Sequence, residues 1–209
     1  MVRRRTAVSL AAAALVAMTP VISACGTPHA GAAAVVENET ISVSDLQSQV
    51  NAVRTAQEKS PQSAALLEGT SKLSQMTLSR LVATRVLDRI AKDAGITVTR
   101  SETEQMRKGL ESRYGGADGF LQTFGVAPSG ADAFSRLQVE AAKIIVGLRL
   151  EPGSDGGNTA LSQLIAKTAK TMKIDVNPRY GTWDARTGQL GDTKEPWLVP
   201  VAEAPVQGA

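Results

Sequence analysis

The sequence has 209 residues, a net charge of +3, one cysteine and seven aromatic residues (two Trp, two Tyr, three Phe). The charge excess equals the three arginines at positions 3–5, because no acidic residue precedes Cys25. The remaining 23 − 3 = 20 basic residues balance the 20 acidic ones. This balance argues against a nucleic-acid-binding protein. A single cysteine excludes an internal disulfide, and so few aromatic residues disfavour a sugar-binding cleft.

The first residues have the order of a secretory signal. Three arginines precede an apolar run over 7–17, and small residues follow up to Cys25. The run is too short and too rich in alanine to predict a permanent membrane span. Ile22-Ser23-Ala24-Cys25 resembles the lipobox of bacterial lipoproteins. That resemblance implies removal of residues 1–24 and a lipid anchor, palmitate included, on Cys25 at the extracytoplasmic face of the cell membrane. The alternative is an ordinary secretory signal with an incidental thiol.

Composition divides the rest of the chain into three parts. Residues 25–33 are small and polar, which predicts a flexible tether, and they contain the only histidine, His29. Residues 34–184 have the periodic apolar pattern of one folded domain. Residues 185–209 are rich in proline and glycine, which predicts a disordered tail.

Within the domain, short β-branched stretches around 37–39 predict a hairpin whose turn places Asn38 at positive φ. Ser44 is expected to open the first helix and Ser129 a later one, while Thr99 and Glu102 form a capping box. Helices are predicted over 44–60, 71–94, 99–114, 118–124, 129–150 and 159–172, with residues 151–158 as an interruption. The helix over 71–94 is apolar over a wide arc, which is typical of a central helix.

Ile174-Asp175-Val176 alternates as a strand, and Pro178 places the segment after it at a sheet edge. A two-stranded sheet is marginal alone, so we expect this strand to pair with the opening hairpin. The predicted fold is α+β and mainly α-helical: a helical body with a small sheet formed by an N-terminal hairpin and a C-terminal strand.

Three segments together carry a resemblance: 36–42 (VENETIS), the helix to Ala94 with Gly95-Ile96-Thr97-Val98 after it, and 177–181 (NPRYG) with Trp183-Asp184. Over 34–184 they resemble the chaperone module of SurA, PrsA and the C-terminal part of trigger factor. The closing segment is similar to that of SurA-like lipoproteins of high-GC Gram-positive bacteria. The resemblance implies a chaperone that binds unfolded or partly folded secreted proteins. Relatives often insert a parvulin prolyl isomerase domain between the last two helices, where this chain has only residues 151–158.

Candidate chemistry is sparse, and we predict no enzyme, metal, cofactor or small-molecule substrate. A lone His29 on a tether supplies neither a catalytic base nor a zinc site, and Glu102 and Glu104, two apart on a helix, point in different directions. The methionines either fill core gaps or form an adaptable surface. Tyr180 and Trp183 are expected to pack beside the closing strand. The candidate client-binding residues are Met76, Met106, Leu110, Phe120 and Phe124.

Two functional hypotheses follow. The first is a lipid-anchored, non-catalytic chaperone for secreted proteins. The second is an envelope interaction module with one dedicated partner. A solute-binding lipoprotein is less compatible with the sequence, because neither its length nor a βαβ rhythm predicts two α/β lobes.

Overall fold

A computed structural model describes residues 30–68 and 72–192 of the protein. The predicted signal, Cys25, His29 and the end of the predicted tail lie outside these residues. The described part contains seven α-helices and five short strands, so the α+β, mainly helical prediction is confirmed. In chain order they are β1 (Ala32–Val36), β2 (Glu39–Ser42), α1 (Val43–Lys59), α2 (Ser63–Glu68), α3 (Leu73–Asp93), α4 (Arg100–Tyr114), α5 (Gly116–Phe124), α6 (Ala131–Gly147), α7 (Asp155–Ala169), β3 (Ile174–Val176), β4 (Thr182–Asp184) and β5 (Gln189–Gly191).

The two ends of the domain meet in one antiparallel sheet with the strand order β2-β1-β3. Val35 of β1 lies opposite Thr40 on one side and Asp175 on the other. Just beyond β3, Asn177 continues the pairing: its backbone N–H donates to the carbonyl of Ala33 (3.0 Å) and its side-chain amide to that of Ala32 (3.1 Å). The predicted pairing of the C-terminal strand with the opening hairpin is therefore confirmed.

The hairpin turn differs from the prediction. Glu37, not Asn38, takes the positive φ, at 56°. The reason lies across the sheet, because the Glu37 N–H donates to the carbonyl of Lys173 (2.7 Å) and the Glu37 carboxylate accepts from the Lys173 N–H (3.2 Å). These two bonds hold Glu37 in a conformation that sequence preference would assign to asparagine.

Helix α1 begins earlier than predicted, while α4 begins as predicted. Ser42, rather than Ser44, is the N-cap of α1, and its hydroxyl accepts from the Asp45 N–H at 3.0 Å. The capping box of Thr99 and Glu102 is present at the start of α4. Both serines near α1 fit the preferred residue types, so composition alone did not identify the one at the cap.

The starts of α6 and α7 correct two further predictions. Ser129 lies in a 3₁₀ turn, and α6 has Gly130 as its N-cap without a side-chain cap. Helix α7 starts at Asp155, because the Ser154 hydroxyl accepts from the Gly157 N–H at 3.1 Å. The predicted interruption over 151–158 is therefore shorter, and its two last glycines lie inside the helix.

Helix α3 is the centre of the molecule, as its wide apolar arc predicts. It packs against α1, α6, α7, β1 and β5. Its first half belongs to a core cluster with the sheet and α1, through Leu78 and Val82, and its second half to a cluster with α6 and α7, through Val86 and Ile90. A third cluster lies between α5 and α6.

The region after β3 contains more structure than the sequence indicates. Strands β4 and β5 form a second hairpin, so residues 189–191 are a strand within the segment predicted to be a disordered tail. The backbone N–H of Gly188 donates to the carbonyl of Asp184 at 2.8 Å, which closes the turn between them. The short helix α2 was also not predicted. None of the described helices combines the length and the hydrophobicity of a membrane span.

Candidate binding groove

A groove of about 540 Å³ runs between α1, α3 and the segment that leads into α6. We call it the central groove. Ala52 and Val53 of α1, Leu81 of α3, and Ala133 and Leu137 of α6 are among its apolar lining residues. Ala52 is half-buried and Ala133 is exposed. Because both side chains are small, the space between the helices stays open. The result is a largely apolar trough at the surface of a helical body.

One side of the central groove is a row of alternating charges that joins α3 to α6. Both terminal nitrogens of Arg136 lie 3.0 Å from Oδ1 of Asp88. Arg85 lies beside them, with its Nε 2.9 Å from Oε2 of Glu39 on β2. Hydrogen bonding to Asp88 raises the pKa of Arg136, so the guanidinium stays charged. These contacts fix the distance between α3 and α6 and give the apolar trough a polar rim.

Glu140 lies one helical turn beyond Arg136, and its side chain is only 3% exposed. Burial, then the neighbouring Asp88 charge, raises the pKa of Glu140, because burial and a nearby carboxylate both disfavour the ionised form. Arg136 Nη2 lies 3.6 Å from Oε1 of Glu140 and opposes that shift. In the described part of the chain, Oε2 of Glu140 has no hydrogen-bond partner. The row of ionisable side chains therefore ends on a buried carboxyl group whose neutral form is favoured.

Arg80 connects the floor of the central groove to α5. Its Nη1 donates to the carbonyl of Phe124 at 3.2 Å, at the C-terminal end of α5, where a cation is favourable. Burial lowers the pKa of Arg80, but guanidinium groups remain charged in proteins. This contact holds α5 against α3 at one end of the groove.

Three of the five predicted client-binding residues belong to one aromatic cluster. Phe120 is fully buried, with ring centroids 5.9 Å from both Phe124 and Phe134, and Leu110 packs against the same cluster. In this structure Phe120 is a packing group rather than a surface residue. Phe134 joins the cluster to the central groove, which it also lines.

The other two predicted residues lie apart from that cluster and from each other. Met76 on α3 is 59% exposed and lies in a different groove, beside α7 and β5. Met106 on α4 is half-buried. Tyr180 and Trp183 pack against the core clusters beside the closing strand, as predicted. The structure therefore does not bring the five candidates onto one surface.

Sequence reasoning did not identify the central groove itself. Its lining residues are small, apolar and polar side chains from three helices and the segment before α6, which are far apart in the sequence, and no sequence motif connects them. The only available signal is the low side-chain volume at positions such as Ala52 and Ala133, which any alanine-rich helix shares. Within the described ranges, no group of three or more His, Cys, Asp or Glu residues could hold a metal ion.

Comparison with known protein families shows which family this chain belongs to. A family model for the SurA-like N-terminal domain matches residues 3–126, which is more than half of the 209 residues. The chain belongs to the SurA-like N-terminal domain family. The resemblance found in the residues is confirmed, and the match spans every element from β1 to α5. Membership indicates a chaperone-type, extracytoplasmic module, and the family's domain is not a catalytic one. Searches of curated proteins and of solved structures gave no match.

Proposed function

We propose that this SurA-like protein is a lipid-anchored, non-catalytic chaperone that binds unfolded segments of secreted proteins in the central groove. The observation that carries the proposal is an open apolar trough with a charged rim, which lies between α1 and α3 of the matched SurA-like region and α6 beyond it. Apolar side chains of an unfolded client can enter the trough, while its backbone and polar side chains remain near Arg85, Asp88 and Arg136.

The dimensions of the groove suit a short segment. Its wall on α3 runs from Arg80 to Asp88, nine residues that span roughly 12 Å at the rise of an α-helix. An extended peptide of about four residues spans that length. So small a contact area supports weak, reversible binding, because association must first offset the entropy lost when two molecules become one. Transient binding of exposed segments is what a chaperone requires.

Two features of the sequence support the remaining parts of the proposal. The lipobox-like Ile22-Ser23-Ala24-Cys25 supports anchoring through Cys25. Helices α6 and α7 are joined by residues 148–154 alone, which are too few for an isomerase domain, and this supports a role without catalysis.

The anchor is tested by labelling cells with a palmitate analogue and separating the membranes. We expect the wild-type protein to be labelled and to remain with the membrane, and the Cys25→Ser variant to lose the label. A wild-type protein released with a free thiol would contradict the anchor.

The chaperone activity is tested with the fragment 26–209, which contains every described element and all three core clusters. We expect it to suppress the aggregation of several chemically unfolded proteins in proportion to its concentration. No effect on any of them would count against the proposal. Crosslinking in cells separates a general chaperone, which gives many secreted adducts, from a module with a dedicated partner, which gives one.

A further inference from the structure

The charged residues that line the central groove lie on one side of it, and most of them are cations. Of the described residues that line the groove, four carry a charge: Arg80, Arg85, Asp88 and Arg136. All four belong to α3 or α6, whereas the groove residues of α1 are uncharged. Three cations and one anion give the α3–α6 side of the groove a positive potential.

Asp88 is shared between two arginines on facing helices. Its Oδ1 accepts from both terminal nitrogens of Arg136 at 3.0 Å, and its Oδ2 lies 3.8 Å from Nη1 of Arg85. One carboxylate therefore faces two guanidinium groups. The side chains of Arg85 and Arg136 are 40% and 47% exposed, so both can still meet a molecule that enters the groove.

Two other carboxyl groups contact these arginines, and neither removes the positive excess inside the groove. Glu39, whose Oε2 lies 2.9 Å from Nε of Arg85, belongs to β2 and lies outside the groove. Its side chain is largely exposed, and an ion pair in contact with water is weak. Glu140, 3.6 Å from Arg136, is buried, and burial raises its pKa and so favours its neutral form.

An arginine matches a carboxylate in both charge and shape. A guanidinium has five N–H donors in a fixed planar fork. The contacts of Arg85 with Glu39 and Asp88 involve two of its nitrogens, Nε and Nη1, so the group can bind a further carboxylate. Successive side chains of an extended segment point to opposite sides. An apolar residue that enters the trough therefore turns its neighbours towards the rim.

We propose that the central groove selects client segments in which acidic residues flank apolar ones, with Arg85 and Arg136 binding the acidic side chains. The apolar trough supplies the contact that all clients share, and the two arginines supply the preference among them. This inference rests on the proposed function, because it names the class of segment that enters the central groove.

The test compares the affinity of the fragment 26–209 for three peptides of five residues. Each peptide has leucine at its first, third and fifth positions, blocked ends and a neutral fluorescent dye, and the second and fourth positions are glutamate, glutamine or lysine. Fluorescence anisotropy gives the dissociation constants. We expect the glutamate peptide to bind roughly tenfold more tightly than the lysine peptide, with the glutamine peptide between them, because each exposed pair of charges changes affinity by a few-fold. The ratio should shrink as salt is raised from about 10 mM, where the Debye length is about 30 Å, because salt screens exposed charges.

Two variants locate the preference. Arg85→Gln should bring the affinities for the glutamate and lysine peptides close together. Arg89→Gln is the matched control and should leave their ratio unchanged: Arg89 is one turn further along α3, is 47% exposed in an ion pair with Asp93, and lies outside the groove. Both variants remove one positive charge, so a difference between them does not come from net charge. The peptide comparison on the unaltered fragment tests the preference even if Arg85→Gln does not fold.

The outcomes separate this inference from the proposed function. Equal affinities for the three peptides, or tighter binding of the lysine peptide, would overturn the preference. The proposed function would stand in that case if Ala133→Glu still weakened binding of the glutamine peptide. A ratio unchanged by Arg85→Gln would also overturn the preference. Failure of all three peptides to bind would overturn both. A dimer in solution that excludes the peptides and is disrupted by Ala133→Glu would overturn both as well, by assigning the groove to a second copy of the chain.

Discussion

At the scale of single residues, Lys143 of α6 joins the start of α4 through two contacts. Its Nζ lies 2.6 Å from Oε1 of Glu102 and donates to the carbonyl of Thr97 at 2.7 Å. Glu102 also accepts from the Thr99 backbone N–H as part of the capping box. The hydrogen bond from Lys143, followed by those from Thr99, lowers the pKa of Glu102 to about 2.

This lowered pKa predicts a pH dependence of stability. An unfolded glutamate takes up its proton near pH 4.5, whereas Glu102 in the folded state holds its charge to about pH 2. The stabilisation is therefore complete above the unfolded pKa and is lost as the pH falls from 4.5 towards 2. We expect Glu102→Gln to be less stable than wild type at pH 6 and the difference to shrink towards pH 2.5, as measured by urea unfolding. Glu58→Gln, on the exposed face of α1, is the control; a difference for Glu102→Gln that does not change with pH would contradict this role.

The contacts of Glu102 show which side-chain interactions the sequence can predict and which it cannot. The pairing of Thr99 with Glu102 was predicted because it is local, three residues apart at a helix start. The contribution of Lys143 was not, because it reaches Glu102 only after α6 packs on α4. The turn at Glu37 follows the same pattern, since its conformation depends on Lys173 at the other end of the domain.

At the scale of elements, the corner between α4 and α5 combines two glycines at positive φ, Gly115 and Gly116, with a close approach at a third, Gly119. Gly119 is buried in α5, and a Cβ at that position would overlap the carbonyl oxygen of Tyr114, the last residue of α4. The two helices can turn so sharply because no side chain separates them. The corner places Phe120 in the aromatic cluster and holds α5 where Arg80 contacts its C-terminal end.

We expect Gly119→Ala to destabilise the protein by at least about 2 kcal/mol, because the backbone must move to accept the new methyl group. Gly109→Ala is the matched control on α4, where nothing lies within 4 Å of the added Cβ. There the substitution should stabilise by about 0.5–1 kcal/mol, as expected for an exposed helix interior. Chemical denaturation measures both; equal effects of the two substitutions would contradict the assignment of the corner to Gly119.

The long helices could be predicted and the short elements could not. Helix α3 has apolar residues over six turns, so its period and central position are evident from the sequence. Helix α2 has six residues, and β4 and β5 have three each, which is too short for a periodic signal. Strand β5 forms because Asp184 closes a turn and Gln75 contacts Gly191, and the second of these contacts is made by a distant element.

At the scale of the whole molecule, the sheet that joins the two ends of the domain determines whether the helices form one unit. Asn177 donates both a backbone and a side-chain hydrogen bond to β1. The side-chain bond joins it to Ala32, which lies 145 residues earlier in the sequence. Its side-chain oxygen also accepts from the Arg179 N–H at 3.1 Å. The side chain of Asn177 therefore stabilises the closure and the turn after it together.

We expect Asn177→Ala to lower the free energy of unfolding by about 1–2 kcal/mol, because the Ala32 carbonyl loses its side-chain donor and the turn loses its acceptor. Asn38→Ala in the exposed hairpin turn is the control and should change it by less than about 0.5 kcal/mol. The unfolding transition of each variant in urea gives these values. An Asn38→Ala effect as large as that of Asn177→Ala would contradict a special role for the closure.

The meeting of the two ends of the domain was predictable, because a lone hairpin needs a third strand and the sequence shows one other clear strand. The central groove was not. It lies between α1, α3 and α6, and the packing of these helices depends on side-chain volumes at contacts that the sequence does not identify. Candidates such as Phe120 are large and apolar, and those properties also favour a place in the core.

The central claim, that unfolded clients bind in the central groove, is tested most directly by placing a charge inside it. Ala133 is exposed on α6 and lines the groove, whereas Ala65 is exposed on α2, outside it. The measurement is suppression of client aggregation by the fragment 26–209 carrying Ala133→Glu or Ala65→Glu, after unfolding curves have shown that both are folded. We predict that Ala133→Glu requires roughly tenfold more protein for the same suppression, the equivalent of about 1.4 kcal/mol of binding free energy, and that Ala65→Glu acts as wild type. Equal suppression by both variants would contradict the claim.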